Sequence, residues 1–368
     1  MTPTPPVTTP LSVSGPRPTA ALRALLGAEL PLIQAPMAGV QGSTLALAVM
    51  DAGGVGSLPA AMLTPEALRA ELQALQAGSR GRPYNVNFFC HTPPVPDAAR
   101  EAAWRRTLSR FHADMGLDVN AAPPGAGRMP FNADAAALLA EFRPPVVSFH
   151  FGLPAPEFLA QIKAWGGKVL SSATTVEEAR WLVQHGADAV IAQGLEAGGH
   201  RGHFLSDDLS RQMGTFALLP QIVRAVDVPV IAAGGIADAA GVAAALALGA
   251  AGVQVGTAYL LCPEAHTSAI HRAALQSEAA RHTALTNVFT GRPARGIVNH
   301  VMRELGCLCP TAPAFPLATA AMAPLRAAAE AQGSGEFSPL WSGQNASGCR
   351  AISATELTRR LMAGVALG

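Results

Sequence analysis

The chain has 368 residues and a formal net charge of +1; 49% of its residues are hydrophobic and 14% are charged. This length suits one α/β barrel with an insertion, and the charge balance argues against a nucleic-acid partner. No apolar stretch reaches the roughly 18 uninterrupted residues of a membrane span. The five cysteines are scattered, which is typical of reduced thiols rather than of a disulfide framework or a zinc site. We therefore expect a cytoplasmic protein with neither a membrane anchor nor a bound metal.

Eight apolar segments rich in β-branched residues alternate with segments of helical periodicity. The predicted strands are residues 32–37, 54–58, 84–89, 146–151, 168–173, 189–193, 228–233 and 252–257. Thr64 and Thr175 are predicted to cap two of the intervening helices, because a threonine hydroxyl can accept a free amide of the first turn. A doubly wound sheet usually has fewer strands, and no Gly-x-Gly-x-x-Gly follows the first strand here. We therefore predict an α/β fold, a (β/α)8 TIM barrel.

Composition divides the chain into three parts. Residues 1–18 are rich in Pro and Thr and lack the apolar core of a signal peptide, so we expect a disordered leader. Residues 19–262 and 333–368 are expected to form the barrel, which an amphipathic helix over 355–362 completes. Residues 263–332 are rich in Ala, with helical runs at 266–275 and 316–331. They are predicted to be a small helical insertion after strand eight, lying over the active site.

A glycine-rich run, residues 193–203, follows the sixth predicted strand. Glycine lets the backbone approach a ligand closely. Gly198 and Gly199 leave little side-chain bulk before His200, which would then project towards whatever the backbone contacts. Histidine titrates near neutral pH, so His200 can serve as a general base or as a donor to a negative substrate. The alternative is a surface loop with an incidental histidine.

The ends of other strands supply further candidates, because the carboxyl ends of barrel strands carry the chemistry. Pro36 and Met37 offer an apolar wall for a flat ring, although Met37 could equally be core filler. Asn87 is a polar residue in an apolar strand, and we expect a ligand to satisfy its amide. His150 points away from its two phenylalanine neighbours, and either faces the barrel mouth or has a structural role.

Glycines end the seventh and eighth predicted strands, at Gly234, Gly235 and Gly256. Backbone N–H groups at these two positions can converge on a phosphate without charged side chains. The chain has just two lysines, Lys163 and Lys168, which agrees with binding through the backbone. Tight βα turns without a ligand are the alternative.

Seven motifs, in this order along the chain, together resemble those of the nitronate monooxygenases, a family of FMN enzymes once called 2-nitropropane dioxygenases. They are residues 34–37, Asn87, and residues 148–152, 196–202, 232–236, 254–257 and 341–344. The run Glu-Ala-Gly-Gly-His-Arg-Gly at 196–202 is specific to the superfamily. Ser-Phe-His-Phe-Gly at 148–152 and Trp-Ser-Gly-Gln at 341–344 favour the monooxygenase branch.

The resemblance implies that one FMN binds non-covalently at the barrel mouth and that His200 is the catalytic histidine. The implied reaction is oxidative denitrification, in which alkyl nitronates such as propionate 3-nitronate react with O2 to give carbonyl compounds and nitrite. His200 would either remove the α-proton of a neutral nitroalkane or donate to an anionic nitronate, and its protonation state decides which. His150 is a candidate substrate contact. The residues implied to hold FMN are Pro36, Met37, Asn87, Gln193, Gly198, Gly199, Gly234, Gly235, Gln254, Val255, Gly256 and Thr257.

The glycine-histidine run is shared with FMN-dependent enoyl-acyl-carrier-protein reductases, which leaves a second function open. The chain would then be an FMN-linked NAD(P)H reductase acting on a quinone or an enoyl thioester. A non-catalytic FMN-binding barrel is a third reading, whereas the charged residues of a phosphosugar isomerase are missing from the strand ends. The sequence leaves open the physiological substrate, the choice between monomer and homodimer, and the roles of His150 and His203.

Overall fold

A computed structural model describes residues 18–119 and 128–365. The predicted disordered leader therefore lies outside the described residues, except for Pro18, which begins a helix. Most of the Pro/Gly-rich loop at 121–130 lies outside them as well.

Eight parallel strands form a closed barrel, which confirms the predicted fold class. The eleven strands of the described chain are β1 (Leu32–Gln34), β2 (Gly56–Pro59), β3 (Tyr84–Phe89), β4 (Val146–His150), β5 (Lys168–Ala173), β6 (Ala189–Gln193), β7 (Gly199–His200), β8 (Val230–Ala233), β9 (Gly252–Val255), β10 (Thr283–Thr286) and β11 (Ala294–Ile297). The barrel order is β1-β9-β8-β6-β5-β4-β3-β2. A parallel bridge between Ile33 and Val55 joins the two ends of this sheet.

Helices separate the barrel strands and cover their outer face. The α-helices of the described chain are α1 (Pro18–Leu26), α2 (Ser43–Met50), α3 (Pro65–Ser79), α4 (Ala98–Asp114), α5 (Ala133–Phe142), α6 (Pro156–Ala164), α7 (Val176–Gln184), α8 (Thr215–Ala225), α9 (Ala239–Ala247), α10 (Ala269–Gln276), α11 (His300–Leu305), α12 (Thr319–Ala331) and α13 (Ala354–Leu361). The predicted caps are present, because the hydroxyls of Thr64 and Thr175 accept the amides of Ala67 and Glu178. No helix among the described residues is long and apolar enough to cross a bilayer.

Buried amide side chains reinforce the seam between β1 and β2. The amide of Gln34 donates to the side-chain oxygen of Gln41 over 2.7 Å, and the backbone N–H of Ser57 donates to Gln34 over 3.1 Å. Gln41 in turn donates to the carbonyl of Ser57 over 2.5 Å. These buried polar groups all have hydrogen-bond partners. They reinforce the barrel between β1 and β2, where a single bridge joins the two strands.

Alternation along the strands separates the two sides of the barrel wall. Ile33, Ile191 and Ile231 point inward and meet Leu22 of α1, which plugs the amino-terminal end. A Cβ at Gly252 would lie 2.5 Å from the carbonyl oxygen of Pro31 as well as 2.4 Å from Leu22 Cδ2, so only glycine fits beside the plug. The opposite, carboxyl-terminal end stays open for a site.

The segment after β9 is not entirely helical, and this corrects the predicted helical insertion. It contains α10, α11 and α12, but also the hairpin of β10 and β11. β11 pairs antiparallel with β7, which places Ala294 opposite His200. The glycine-rich run after β6 is therefore anchored in a three-stranded sheet, and does not form a free loop. The division at residues 262 and 333 remains a prediction.

Two barrel strands are shorter than predicted at the ends that matter for the site. β1 ends at Gln34, so Pro36 and Met37 lie in the following loop. β9 ends at Val255, and Thr257 begins a short 3-10 helix, Thr257–Leu261. Both differences arise because strand pairing stops where the chain turns over the barrel mouth.

Candidate active site

A cavity of about 310 Å³ opens at the carboxyl ends of the barrel strands. This volume lies within the range of small-molecule sites. The predicted site residues that line it are Pro36, Met37, Asn87, His150, Gln193, Gly198, Gly199, His200, Gly234, Gly235, Gln254, Gly256 and Thr257. The sequence therefore identified residues from six strand ends that the fold brings to one place.

Val255 is the predicted cofactor contact that the structure does not bring to the cavity. Its side chain is buried in the core between the barrel and its helices. Strand alternation explains this difference, because Gln254 and Gly256 face the cavity and the residue between them faces away. The cofactor contact predicted at Val255 stays a prediction, and the backbone rather than the buried side chain would have to make it.

His200 has one ring nitrogen anchored and the other available. Its Nε2 lies 2.9 Å from the hydroxyl of Thr290, which belongs to the turn between β10 and β11. The ring centroids of Phe315 and Trp341 lie 5.2 and 5.6 Å from that of His200, so aromatic side chains bound the imidazole. No described residue makes a hydrogen bond to Nδ1, and the side chain lines the cavity.

His200 is a neutral imidazole at pH 7. Burial lowers its pKa well below the usual range, and the nearby charges of Arg128 and Arg292 lower this pKa further. A neutral imidazole has one N–H and one lone pair, so its available nitrogen is either a proton acceptor or a donor. Which of the two it is depends on the tautomer.

His150 holds the backbone of His200. Its Nε2 lies 3.1 Å from the carbonyl oxygen of His200, and its Nδ1 lies 3.1 Å from the hydroxyl of Ser172. A carbonyl only accepts, so Nε2 carries the hydrogen. Burial lowers the pKa of His150 to about 3, and the second nitrogen of the neutral ring then accepts from Ser172. His150 lines the cavity, but both of its nitrogens are engaged, which favours the structural role.

Gln193 is likewise hydrogen-bonded to the loop that follows it, residues 194–203, which we call the histidine loop. Its amide nitrogen donates to the carbonyl of His200 over 3.0 Å, and its oxygen accepts the amide of Gly202 over 2.7 Å. The two hydrogen bonds fix the loop against the end of β6. The part of Gln193 that faces the cavity is therefore available for van der Waals contact.

Arg201 is buried and donates hydrogen bonds to the carboxyl end of β6. It is fully buried, and its guanidinium donates to the carbonyls of Gly194 and Gln193 over 2.8 and 2.9 Å and to the amide oxygen of Gln212 over 2.8 Å. Burial lowers its pKa to about 9, so it stays protonated at neutral pH. Sequence reasoning missed this role, although an arginine beside two loop glycines suggests binding to backbone carbonyls.

Glu178 fixes the far side of the histidine loop. The sequence places it in the first turn of a helix, where the helix dipole favours an acid. Its carboxylate is buried, and it accepts the amides of Phe204 and Thr174, each over 2.7 Å. His203, which lies between these contacts, is buried outside the cavity with its Nε2 3.5 Å from Asp207.

The glycine turns after β8 and β9 are closed by the tail of the chain. The backbone N–H of Gly343 donates to the hydroxyl of Thr257 over 2.9 Å, and the Asn345 side chain donates to the carbonyl of Gly235 over 3.1 Å. A Cβ at Gly198 would lie 2.5 Å from the nitrogen of Gly343, so this close approach requires glycine. The Trp-Ser-Gly-Gln motif and the asparagine that follows it thus connect the turns predicted to bind phosphate.

The cavity wall fits a flavin. The Gln254 side-chain oxygen is buried without a hydrogen-bond partner among the described residues, which suits the ring N–H of an isoalloxazine. Asn87 uses its amide nitrogen on the hydroxyl of Ser148 over 2.9 Å. Gly234 and Gly235 have φ of 120° and 73°, a conformation that turns the backbone tightly at the end of β8. Such a turn is a feature of backbone phosphate sites.

Positive charge dominates the lining of the cavity. Arg128 and Arg326 line it, and of these Arg326 pairs with Glu330 over 2.7 Å. Arg128 donates to the hydroxyl of Thr319 over 3.2 Å, and its guanidinium lies 5.6 Å from the ring centroid of Phe315. No carboxylate of the described residues pairs with Arg128. The cavity therefore favours an anionic ligand.

Comparisons with known proteins agree with the motifs. The family model described as nitronate monooxygenase matches residues 19–364. A nitronate monooxygenase of Pseudomonas aeruginosa is 43% identical over 344 residues, which are 92% of this chain and 97% of that protein. The solved structure of a nitroalkane oxidase from Streptomyces ansochromogenes is 41% identical, with a TM-score of 0.84 over 93% of this chain and 97% of that one. FabK from Thermotoga maritima is 27% identical, with a TM-score of 0.66 over 93% of this chain and 94% of its own.

These findings confirm the resemblance first seen in the seven motifs and the predicted class of enzyme. The family match spans nearly the whole chain, and both the barrel and the histidine loop lie within it. The chain belongs to the nitronate monooxygenase family.

Proposed function

We propose that the chain is an FMN-dependent oxidoreductase that converts alkyl nitronates and O2 into carbonyl compounds and nitrite. One observation carries the proposal: a neutral imidazole, His200, and a guanidinium, Arg128, face the same cavity. A nitronate is a small anion formed by loss of a proton from carbon. Arg128 supplies a positive charge for this anion, and His200 supplies a proton acceptor when the compound arrives as the neutral nitroalkane.

FMN would bind with its phosphate at the turns of Gly235 and Gly256. Its ring would lie against Met37 and Gln254, above the carboxyl ends of the strands. When bound, FMN would supply electron transfer from the nitronate to O2, chemistry that no side chain of this cavity performs.

The chain's own residues would orient and protect the substrate. Arg128 would neutralise the anion, and a substrate with a second negative charge, such as propionate 3-nitronate, would benefit most from this. The aromatic rings of Phe315 and Trp341 beside His200 would limit access of water. His200 would accept a proton from a neutral nitroalkane or bind the nitronate, according to its tautomer.

An anaerobic titration followed by flavin absorbance tests the proposal. Purified protein is titrated with propionate 3-nitronate and, separately, with NADH. We expect the nitronate to reduce the bound flavin, and NADH to leave its spectrum unchanged. Reduction by NADH without any response to the nitronate would overturn the proposal in favour of an NAD(P)H-dependent reductase. A flavin that neither compound reduces would favour a non-catalytic barrel.

A further inference from the structure

We propose that Thr290 is the positioning residue of His200, which it holds in the tautomer with the hydrogen on Nε2 and the lone pair on Nδ1. The proposal rests on the proposed function, because it assumes that His200 acts on the substrate. It adds a residue from the insertion, 90 positions beyond the histidine, to the machinery of the barrel.

The hydrogen-bond partners of the Thr290 hydroxyl select this tautomer. The oxygen lies 2.9 Å from His200 Nε2 and 3.4 Å from the carbonyl oxygen of Arg292. A hydroxyl has one hydrogen, and a carbonyl can only accept it. With that hydrogen directed to Arg292, the lone pairs of Thr290 face Nε2, which must then be the protonated nitrogen. Nδ1 is left as the acceptor that faces the cavity.

The turn that carries Thr290 is fixed on both sides. Asn287 donates to the carbonyl of Cys309 over 2.9 Å and accepts the amide of Cys309 over 2.8 Å. A Cβ on Gly291 would lie 2.1 Å from the carbonyl oxygen of Pro313, so the turn packs tightly against that segment. Thr290 itself is 2% exposed, so its hydroxyl is shielded from bulk water.

This arrangement defines one proton transfer. Nδ1 takes the α-proton of a neutral nitroalkane, the electron pair of the C–H bond passes to the nitro group, and a nitronate and an imidazolium result. Throughout the transfer the Nε2–H of His200 keeps its hydrogen bond to the oxygen of Thr290. The carbonyl of Arg292 keeps that oxygen oriented, so the positive charge of the ring is met by an acceptor.

The tautomer can be read directly by NMR of protein labelled with ¹⁵N-histidine. Ring nitrogens with and without a hydrogen have well-separated ¹⁵N shifts, and the signals absent from His200→Asn identify the residue. In the wild-type holoenzyme we expect the protonated type at Nε2 and the unprotonated type at Nδ1. The reverse assignment would overturn the proposal, whether or not the protein oxidises nitronates. This readout therefore separates the failure of the proposal from the failure of the proposed function.

Thr290→Val and Thr290→Ser form a matched pair, because valine keeps the shape and serine keeps the hydroxyl. We expect Thr290→Val to mix the two tautomers and to lower kcat/KM for a neutral nitroalkane about tenfold, the cost of one hydrogen bond. Thr290→Ser should restore both. Unchanged spectra in Thr290→Val, or an equal loss in the serine variant, would show that the hydroxyl does not position the ring. The wild-type spectrum decides the question alone if the valine variant does not fold.

Discussion

At the scale of one residue, His200 should affect the reactions of two kinds of substrate differently. A neutral nitroalkane must lose a proton before oxidation, whereas a preformed nitronate has already lost it. We expect His200→Asn to lower kcat/KM for a neutral nitroalkane about 10²–10⁴-fold, because general base catalysis contributes that much. The loss with the preformed nitronate should be much smaller. Steady-state rates with both forms of one compound, at equal flavin content, provide the measurement.

The exposed His282 provides the control for this experiment, since His282→Asn removes a histidine that does not line the cavity. It should leave both rates unchanged. An equal loss with both substrate forms in His200→Asn would contradict the assignment of His200 as a base.

Arg128 acts on the same residue through its charge. The guanidinium lowers the pKa of His200, so Arg128→Gln should raise that pKa. The base must be deprotonated to act, and kcat/KM for a nitroalkane therefore falls as pH drops through its pKa. The acidic limb of the pH profile should move to higher pH in Arg128→Gln, and KM for an anionic nitronate should rise. Arg106→Gln, an exposed arginine on α4, is the control, and an unmoved limb would show that Arg128 does not influence His200.

At the scale of elements, the sequence predicts the barrel better than it predicts the sheet above it. Apolar β-branched runs between capped helices predict the barrel strands, and the glycines around His200 identify it as a candidate functional residue. β7 has two residues, and it is a strand because β11 pairs with it from far along the chain. Propensity cannot identify such a strand without its partner.

The same limit explains why Thr290 was missed. Thr290-Gly291-Arg292-Pro293 has the composition of a break between helices, and in the structure it ends the hairpin that contacts His200. The sequence also assigned the whole motif at 254–257 to the cofactor, although strand alternation turns the side chain of Val255 away from the cavity. Arg201 and Glu178 were missed because their partners are backbone groups, which a sequence pattern does not show.

The turn between β10 and β11 can be tested as an element. Gly291 and Gly306 both have positive φ, at 91° and 75°, but only a Cβ on Gly291 would meet another atom within 4 Å. Alanine at either position costs about 1 kcal/mol or more in backbone strain. Gly291→Ala should cost more, because it also displaces the turn from residues 313–315, and it should lower kcat/KM by moving Thr290. Equal unfolding midpoints and equal activities for the two variants would contradict the view that this turn is held by packing.

At the scale of the whole molecule, one end of the barrel is filled and the other end carries the cavity. Leu22 of α1 fills the amino-terminal end, and α10 and α12 contribute His271, Arg326 and Glu330 to the cavity lining. Burial also lowers the pKa of other imidazoles in the described chain. Activity and acid stability are therefore linked, because the burial that keeps His200 neutral also keeps its neighbours neutral.

Three of these neighbours make the stability of the fold depend on pH. Burial lowers the pKa of His91 and of His271 to about 4, and that of His203 to about 3, all below the usual 6.5. The unfolded chain consequently binds more protons than the folded one between pH 6.5 and about 4, and the free energy of unfolding falls as pH drops through that window. Each histidine contributes up to about 1.4 kcal/mol per pH unit, and the loss levels off below the folded pKa.

Urea unfolding midpoints between pH 7.5 and 5 isolate this effect, because most carboxylates stay ionised there. We expect the midpoint to fall steadily below pH 6.5 in the wild type, and to fall less steeply in His203→Gln, which removes one buried imidazole. His282→Gln removes an exposed one and should keep the wild-type slope. The comparison concerns slopes, so a general loss of stability in His203→Gln does not disturb it. A midpoint that is constant from pH 7.5 to 5 would mean that protonation of the buried histidines costs no stability. The structure argues against this outcome, because the buried Nδ1 atoms of His91 and His203 have no hydrogen-bond partner among the described residues.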